Sequence, residues 1–168
     1  VPLFSPLAQQ RERFDLASFT VPKGWKKVSE TANVVSYAIT TRSTYCQIGI
    51  YKSTGSKGSL QADFQSEWQE LIAQTYKTTS PAATVPAASR NGWDAQGGSA
   101  SFEHSGGQSV AMLVTMSGFA RRMSIVVLTN TQAYQREIDS FLSSVELDKP
   151  AGSIASAAQG PAAGAVPP

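Results

Sequence analysis

The chain holds one cysteine, one histidine and few charges. Charged residues make up 15% of its 168 positions, against about 25% in an ordinary globular chain, and Ser, Thr, Gln, Gly and Ala fill the difference. A lone Cys46 excludes an internal disulfide. With His104 the only imidazole and the carboxylates scattered, no metal-ligand spacing exists. No run of about 18 apolar residues occurs, so no membrane-spanning helix is expected. No Gly-x-Ser-x-Gly elbow is present, and neither Gly97-Gly98 nor Gly106-Gly107 opens a helix with the spacing of a phosphate loop. No catalytic residue, cofactor or metal is therefore expected.

The two chemically reactive side chains read as structural. His104 stands between Glu103 and Ser105, but neighbours in a strand point to opposite faces, so Glu103 does not orient the ring as a triad acid would. Cys46 falls on one stripe with Ile48 and Ile50 and reads as a buried small hydrophobe.

What is present is alternation. Residues 91–130 divide into three strands, 93–104, 108–117 and 121–128, joined by Gly- and Ser-bearing turns. In the middle strand Val110, Met112, Val114 and Met116 alternate with Ala111, Leu113 and Thr115. Met123, Ile125 and Val127 alternate likewise with Ser124, Val126 and Leu128. Strands apolar on both faces belong in the middle of a sheet covered on both sides. Earlier in the chain, residues 34–40 and 44–51 predict a hairpin. Before it come a strand over 14–21, a Pro22-Lys23-Gly24 turn, and a strand opened by Trp25, with Val28 on the same face at imperfect register.

The period changes after Ser59. Leu60, Phe64, Trp68, Leu71, Ile72 and Tyr76 recur at three and four, which predicts an amphipathic helix capped by Ser59, with Gln61, Gln65, Glu67, Gln69 and Glu70 on the opposite stripe. A last helix, capped by Asn130 or Thr131, places Tyr134, Ile138, Phe141, Leu142 and Val145 inward. The sum is an α+β fold, a three-layer α/β/α sandwich around a mostly antiparallel sheet of six to seven strands. Gly97-Gly98 marks a bulge or a close helix approach in it.

The domain is expected over residues 13–148. Residues 1–12 read as a flexible segment, either an ordinary terminus or the remnant of a leader. From Lys149 the chain is almost wholly Ala, Gly, Pro and Ser, which predicts a linker or tail, and a stop at Val166-Pro167-Pro168 reads as a cut in mid-linker. Residues 78–89, with two prolines, predict a surface connection and a candidate binding loop.

The order of these elements, with Phe19-Thr20-Val21-Pro22-Lys23-Gly24-Trp25 at the start, Asn91-Gly92-Trp93 before the long strands and Ser140-Phe141-Leu142-Ser143-Ser144-Val145 in the closing helix, resembles the PsbP-like family. That family includes an extrinsic photosystem II protein, a Ran-binding import factor of yeast and many exported bacterial proteins. The resemblance covers about residues 13–148. It implies a domain that works by binding, usually another protein, with no shared active site. No acidic cluster suited to Ran is present, and no functional residue transfers.

Two functional expectations follow. The first is a non-enzymatic, exported interaction or accessory domain whose partner is another protein or an adjoining domain. The second is a small-ligand or lipid-binding domain with a pocket between the sheet and the helix over 60–76. Residues 1–57 carry eight basic side chains against three acidic ones, which allows contact with a membrane surface or an acidic partner. Without a recognition helix or aromatic sheet motif, nucleic acid is not expected. Candidate partner-binding residues are the Trp and cationic side chains near strand ends: Trp25, Lys26, Lys27, Trp93, Arg121 and Arg122, with His104; the other reading of the two tryptophans is that they plug the ends of the core under the helices.

Overall fold

The computed structural model describes residues 11–78 and 82–151. Residues 1–10, 79–81 and 152–168, which include most of the expected flexible start and tail, lie outside the described residues.

The chain begins with a hairpin. Strands β1 (Arg11–Phe14) and β2 (Ala17–Thr20) pair antiparallel, where the alternation suggested one strand over 14–21. The break comes at Asp15, which turns the chain at φ 51°, while its carboxylate accepts the Ser53 N–H at 2.8 Å. β1 lies in part within the segment 1–12 that was expected to precede the domain.

The remaining strands up to residue 129 form one antiparallel sheet. They are β3 (Lys26–Glu30), β4 (Val34–Thr40), β5 (Tyr45–Tyr51), β6 (Thr54–Gly55), β7 (Ala83–Thr84), β8 (Ala88–Arg90), β9 (Trp93–His104), β10 (Gly107–Gly118) and β11 (Arg121–Thr129). Their order is β3-β4-β5-β11-β10-β9-β7, with β6 on β11 and β8 on β9. The sheet has nine strands, seven of them on the main path, where six to seven were expected. The predicted loop over 78–89 contains the edge strands β7 and β8, and Asn91 (φ 53°) and Gly92 (φ 85°) turn β8 into β9. An Asn-Gly pair is a strong hairpin signal because both central residues need positive φ.

At the other edge, the register of β3 shifts between Lys27 and Ser29, and Val28 is 55% exposed. The bulge turns Val28 away from the core face that alternation assigned to it. Bulges and lysines at an edge strand hinder pairing with a second sheet.

One face of the sheet carries α1 (Leu60–Glu67), a π-helical turn Trp68–Ala73 and the short α2 (Gln74–Tyr76). Ser59 caps this helix as expected, accepting the Ala62 N–H at 3.1 Å. Phe64, Trp68 and Ile72 pack on Phe102, Ala111, Leu113 and Val126. Four-residue steps drift about 40° each in an α-helix, and the wider π turn offsets that drift in the second step. Gly98 permits the close approach, since a Cβ there would stand 2.7 Å from the Phe64 ring. β9 runs through Gly97 and Gly98 in regular register without a bulge.

The opposite face is covered by α3 (Gln135–Ser144) and by a small sheet in which β2 lies between β1 and β12 (Glu146–Leu147). Phe19, Ile138 and Phe141 meet Cys46, Ile48, Ile50, Met123, Ile125 and Val127 there. The second layer is thus part helix and part sheet, more sheet-dominated than a plain α/β/α sandwich. Neither expected residue caps α3. Asn130 accepts the Tyr45 N–H and donates to the Ser43 carbonyl, Thr131 binds the Ala133 N–H, and the helix starts at Gln135 without a side-chain cap.

Cys46 is fully buried, and that burial pushes its thiol up to about 12 against a lowering hydrogen bond with Thr129. At pH 8 about one thiol in ten thousand is then the reactive thiolate. Native protein is expected to resist a thiol reagent over hours and to label fully in urea; stoichiometric labelling of folded protein within minutes would show the site to be open.

Candidate ligand-binding cleft

The cation and Trp candidates do not assemble into one patch. Register partners lead from Lys26 through Ala38, Gln47, Leu128 and Ala111 to Ala100, whereas Arg122 lies level with Ser117 and Asp94, beside Trp93. His104 closes β9 at its far end from Trp93, eleven residues or about 36 Å of extended strand away.

Burial removes three of the seven from a partner's reach. Trp25 is 8% exposed and meets Tyr134 edge to face, and Trp93 is 4% exposed against Phe119. Arg121 is half-buried and donates to the carbonyl and hydroxyl of Ser53 at 2.9 and 2.8 Å. Lys26, Lys27 and His104 remain exposed, although Lys27 pairs with Glu30 at 3.0 Å. His104 sits on a shallow aromatic cup with Tyr45, Tyr76 and Phe102, about 280 Å³ in volume.

Arg122 is buried in a charged network beneath α1. Its Nε donates to Glu67 at 3.2 Å, its Nη1 to the Gly55 carbonyl at 2.9 Å, and Nη1 lies 4.0 Å from Asp63. Asp63, fully buried, also accepts from the Ser56 hydroxyl at 2.7 Å, the Lys57 N–H at 2.6 Å and the Ser117 hydroxyl at 2.7 Å. Burial raises the Glu67 carboxyl above its usual range despite the lowering effect of Arg122. Glu67 therefore belongs to the inner stripe of the helix, not the outer one, and Asp63 stands beside it. The signal was in the spacing: 60, 63, 64, 67, 68, 71 and 72 form one continuous helical face. Acids at such positions need a buried cation, and Arg122 shares the β11 face of Ser124 and Val126.

The cleft lies on the other side of the sheet. It is bounded by β8 and β9 below and by α3 and β12 above, with a cavity volume of about 190 Å³. Trp93, Ala95, Val114, Met116, Leu142 and Val145 form its walls, and Ser89, Arg90, Asn91 and Glu146 stand among its polar residues. The space has a local cause. After Trp93 the same face of β9 presents only Ala95 and Gly97, while β12 holds the small sheet away from β9 by pairing with β2 instead.

Two polar features belong to residues that line this cleft. Trp93 Nε1 is buried and finds no hydrogen-bond acceptor among the described residues. Arg90 reaches across from β8 to the Ser143 carbonyl at 3.3 Å and to Glu146 at 3.9 Å. Arg90 and Trp93 are direct register partners across the Asn91-Gly92 turn. Sequence reasoning named Trp93 among the partner-binding candidates and did not single out Arg90.

No protein-family model matches this chain, and no curated protein does. Solved structures do. A crystal structure from Bacteroides thetaiotaomicron VPI-5482 superposes with a TM-score of 0.54 at 13% identity, over 80% of this chain and 46% of that one. The chain thus spans less than half of that structure. LpqN, involved in cell envelope biogenesis of Mycobacterium tuberculosis, superposes with a TM-score of 0.50 at 9% identity, over 80% of this chain and 83% of its own. The likeness is one of fold.

The pocket expected between sheet and helix 60–76 corresponds to a different feature. An open groove of about 960 Å³ runs between Leu60, Phe64, Trp68 and the β7 edge, broader than the α3 cleft and with Gln61, Gln65, Gln69 and Gln96 in its lining. The apolar cleft is under α3. Among the described residues no group of three metal-ligating side chains occurs, and no helix is long and apolar enough to cross a membrane.

Proposed function

We propose that the chain is a non-enzymatic binding domain of the PsbP-like kind that takes the aliphatic part of a small ligand into the cleft between β8–β9 and α3–β12. The cleft carries this reading. At about 190 Å³ it is smaller than the roughly 300–1,000 Å³ of a drug-sized site and larger than the roughly 150 Å³ apolar cavity that accepts benzene. It suits a chain segment or a single ring. The burial of Trp25 and Trp93 weakens the protein-interaction reading, which loses its two aromatic anchors.

An exported setting at the cell envelope is part of the proposal. It is supported by the low charge content and by the likeness in fold to LpqN.

Calorimetric titration with decanol tests the reading. Binding is expected for the wild type and lost in Ala95→Leu, which fills the cleft from its floor. Equal binding by both proteins, or none by either, would remove the cleft as the site.

A further inference from the structure

We propose that the aromatic cup around Tyr45, Tyr76, Phe102 and His104 is a saccharide site that takes one neutral pyranose ring. It lies on the opposite face of the sheet from the α3 cleft and does not rest on the reading of that cleft. The cup begins where the helix stops. Lys77, in the left-handed region at φ 56°, ends α2 directly after Tyr76, and Thr40 and His104 on the sheet beyond it are exposed.

The rings come in two pairs. Tyr76 and Phe102 stand 4.7 Å apart at 38°, Tyr45 and His104 5.8 Å apart at 63°, and Phe102 lies 6.3 Å from His104. The Tyr45 hydroxyl donates to Ser109 at 2.7 Å, which fixes its ring before a ligand arrives and lowers the cost of ordering it on binding. Aromatic faces carry negative potential, and the polarised C–H groups of a sugar ring are their complement.

Polar side chains are interleaved with these rings. Gln47 is the register partner of Leu128, which packs with the α1 core. Thr40 shares its strand face with Ala38, the other partner of Gln47, and His104 shares that of Phe102. An amide, a hydroxyl and an imidazole thus line one cup from β5, β4 and β9. None of the three side chains forms a hydrogen bond to another described residue, so their donors and acceptors are free for a ligand's hydroxyl groups. No Asp, Glu, Lys or Arg is among the described residues that line the cup. A carboxylate or phosphate finds no cation there, and an ammonium group no counter-charge. At about 280 Å³ the cup falls just below the roughly 300–1,000 Å³ of a drug-sized site, which suits a single ring. A ring with hydroxyl groups on its rim and C–H groups on its face uses both sets of side chains.

Heteronuclear NMR titration of the full chain with methyl glucoside, methyl mannoside and N-acetylglucosamine tests the site. At least one is expected to bind with a Kd of about 1 mM, which ordinary ligand efficiency gives for a molecule of this size. The Gln47 side-chain amide and the backbone of residues 38–40, 45–47 and 102–104 are expected to shift. Cyclohexanol, a ring of similar size with one hydroxyl, is expected to bind at least about fivefold more weakly. Gln47→Leu, at a half-buried strand position, is expected to weaken the pyranose about fivefold, the worth of one hydrogen bond, and to leave cyclohexanol within about twofold. Tyr76→Leu is expected to weaken both, and should it fail to fold, the Gln47→Leu comparison decides alone. Binding of none of the three pyranoses, or shifts confined to the α3 cleft, would overturn the assignment. Tighter binding of tetramethylammonium than of any pyranose would overturn it in favour of a cation cage. Decanol binding in the α3 cleft stands or falls separately.

Discussion

Replacing Asp63 with alanine is expected to lower the unfolding midpoint by on the order of 10 °C. Asp63 has no exposure and accepts three hydrogen bonds, from Ser56, Lys57 and Ser117, beside the Arg122 guanidinium. Its removal strands the Lys57 N–H and leaves Arg122, 8% exposed, with Glu67 as its one remaining carboxylate in this network. Losing three hydrogen bonds to a buried carboxylate, with the Lys57 N–H left unsatisfied and the buried Arg122 charge left with a single carboxylate, puts the cost at about 3–5 kcal/mol. Each kcal/mol shifts the midpoint by roughly 2–4 °C in a domain of this size. Asp63→Asn should fall between the two, since the amide keeps one acceptor oxygen but adds donors where only donors converge. Thermal and urea unfolding give the measurement. A midpoint within a degree of wild type would mean that water replaces the carboxylate and that the network is not closed.

Phe141→Ala is expected to be equally severe. Phe141 is 1% exposed and packs 5.4 Å from the Phe19 ring, where it joins α3 to the small sheet and both to β5 and β11. Emptying such a site costs about 3–5 kcal/mol in lost transfer energy and cavity formation. The consequence reaches beyond stability. Leu142 and Val145 of the same helix wall the cleft, and one turn ties α3 to β2 through Ser144, which accepts the Thr20 N–H at 2.9 Å. Hydrogen exchange should therefore quicken in α3 and β2 before it does in β9–β11. Uniform exchange across the chain would show α3 to be no more separable than the sheet itself.

Much of the fold was legible in the residues. The alternation of Val110 to Met116 and of Met123 to Leu128 placed β10 and β11 in the sheet interior, and their two faces do enter two separate cores. Ser59 announced its helix, and the Cys46-Ile48-Ile50 stripe is fully buried. The errors have physical causes. Asp63 and Glu67 are charged, so their place on the apolar stripe was overlooked, although Arg122 on the facing strand offered the counter-charge. Residues 78–89 carry small side chains and prolines, which hid two short edge strands whose hydrogen bonds are with β9. Trp25 and Trp93 follow glycine at strand ends, where a chain pattern cannot distinguish a plug in the core from an exposed anchor.

The candidate site was the least legible part. Its walls come from β8, β9, β10, β11, α3 and β12, elements up to nearly sixty residues apart in the chain, and its space exists because Ala95 and Gly97 follow Trp93 on one face of β9. None of these residues is unusual in its own segment. What the sequence by itself determined is the periodic part of the protein: which strands are apolar on both faces, where the helices run and which stripe of each is apolar, since period two and period 3.6 are properties of the local backbone. Only the tertiary structure decided which charges are buried, which tryptophans are plugs, and that Trp93 and Arg90 line one apolar cleft. Those outcomes depend on what packs against each residue from elsewhere in the chain, and packing across layers leaves no local period to read.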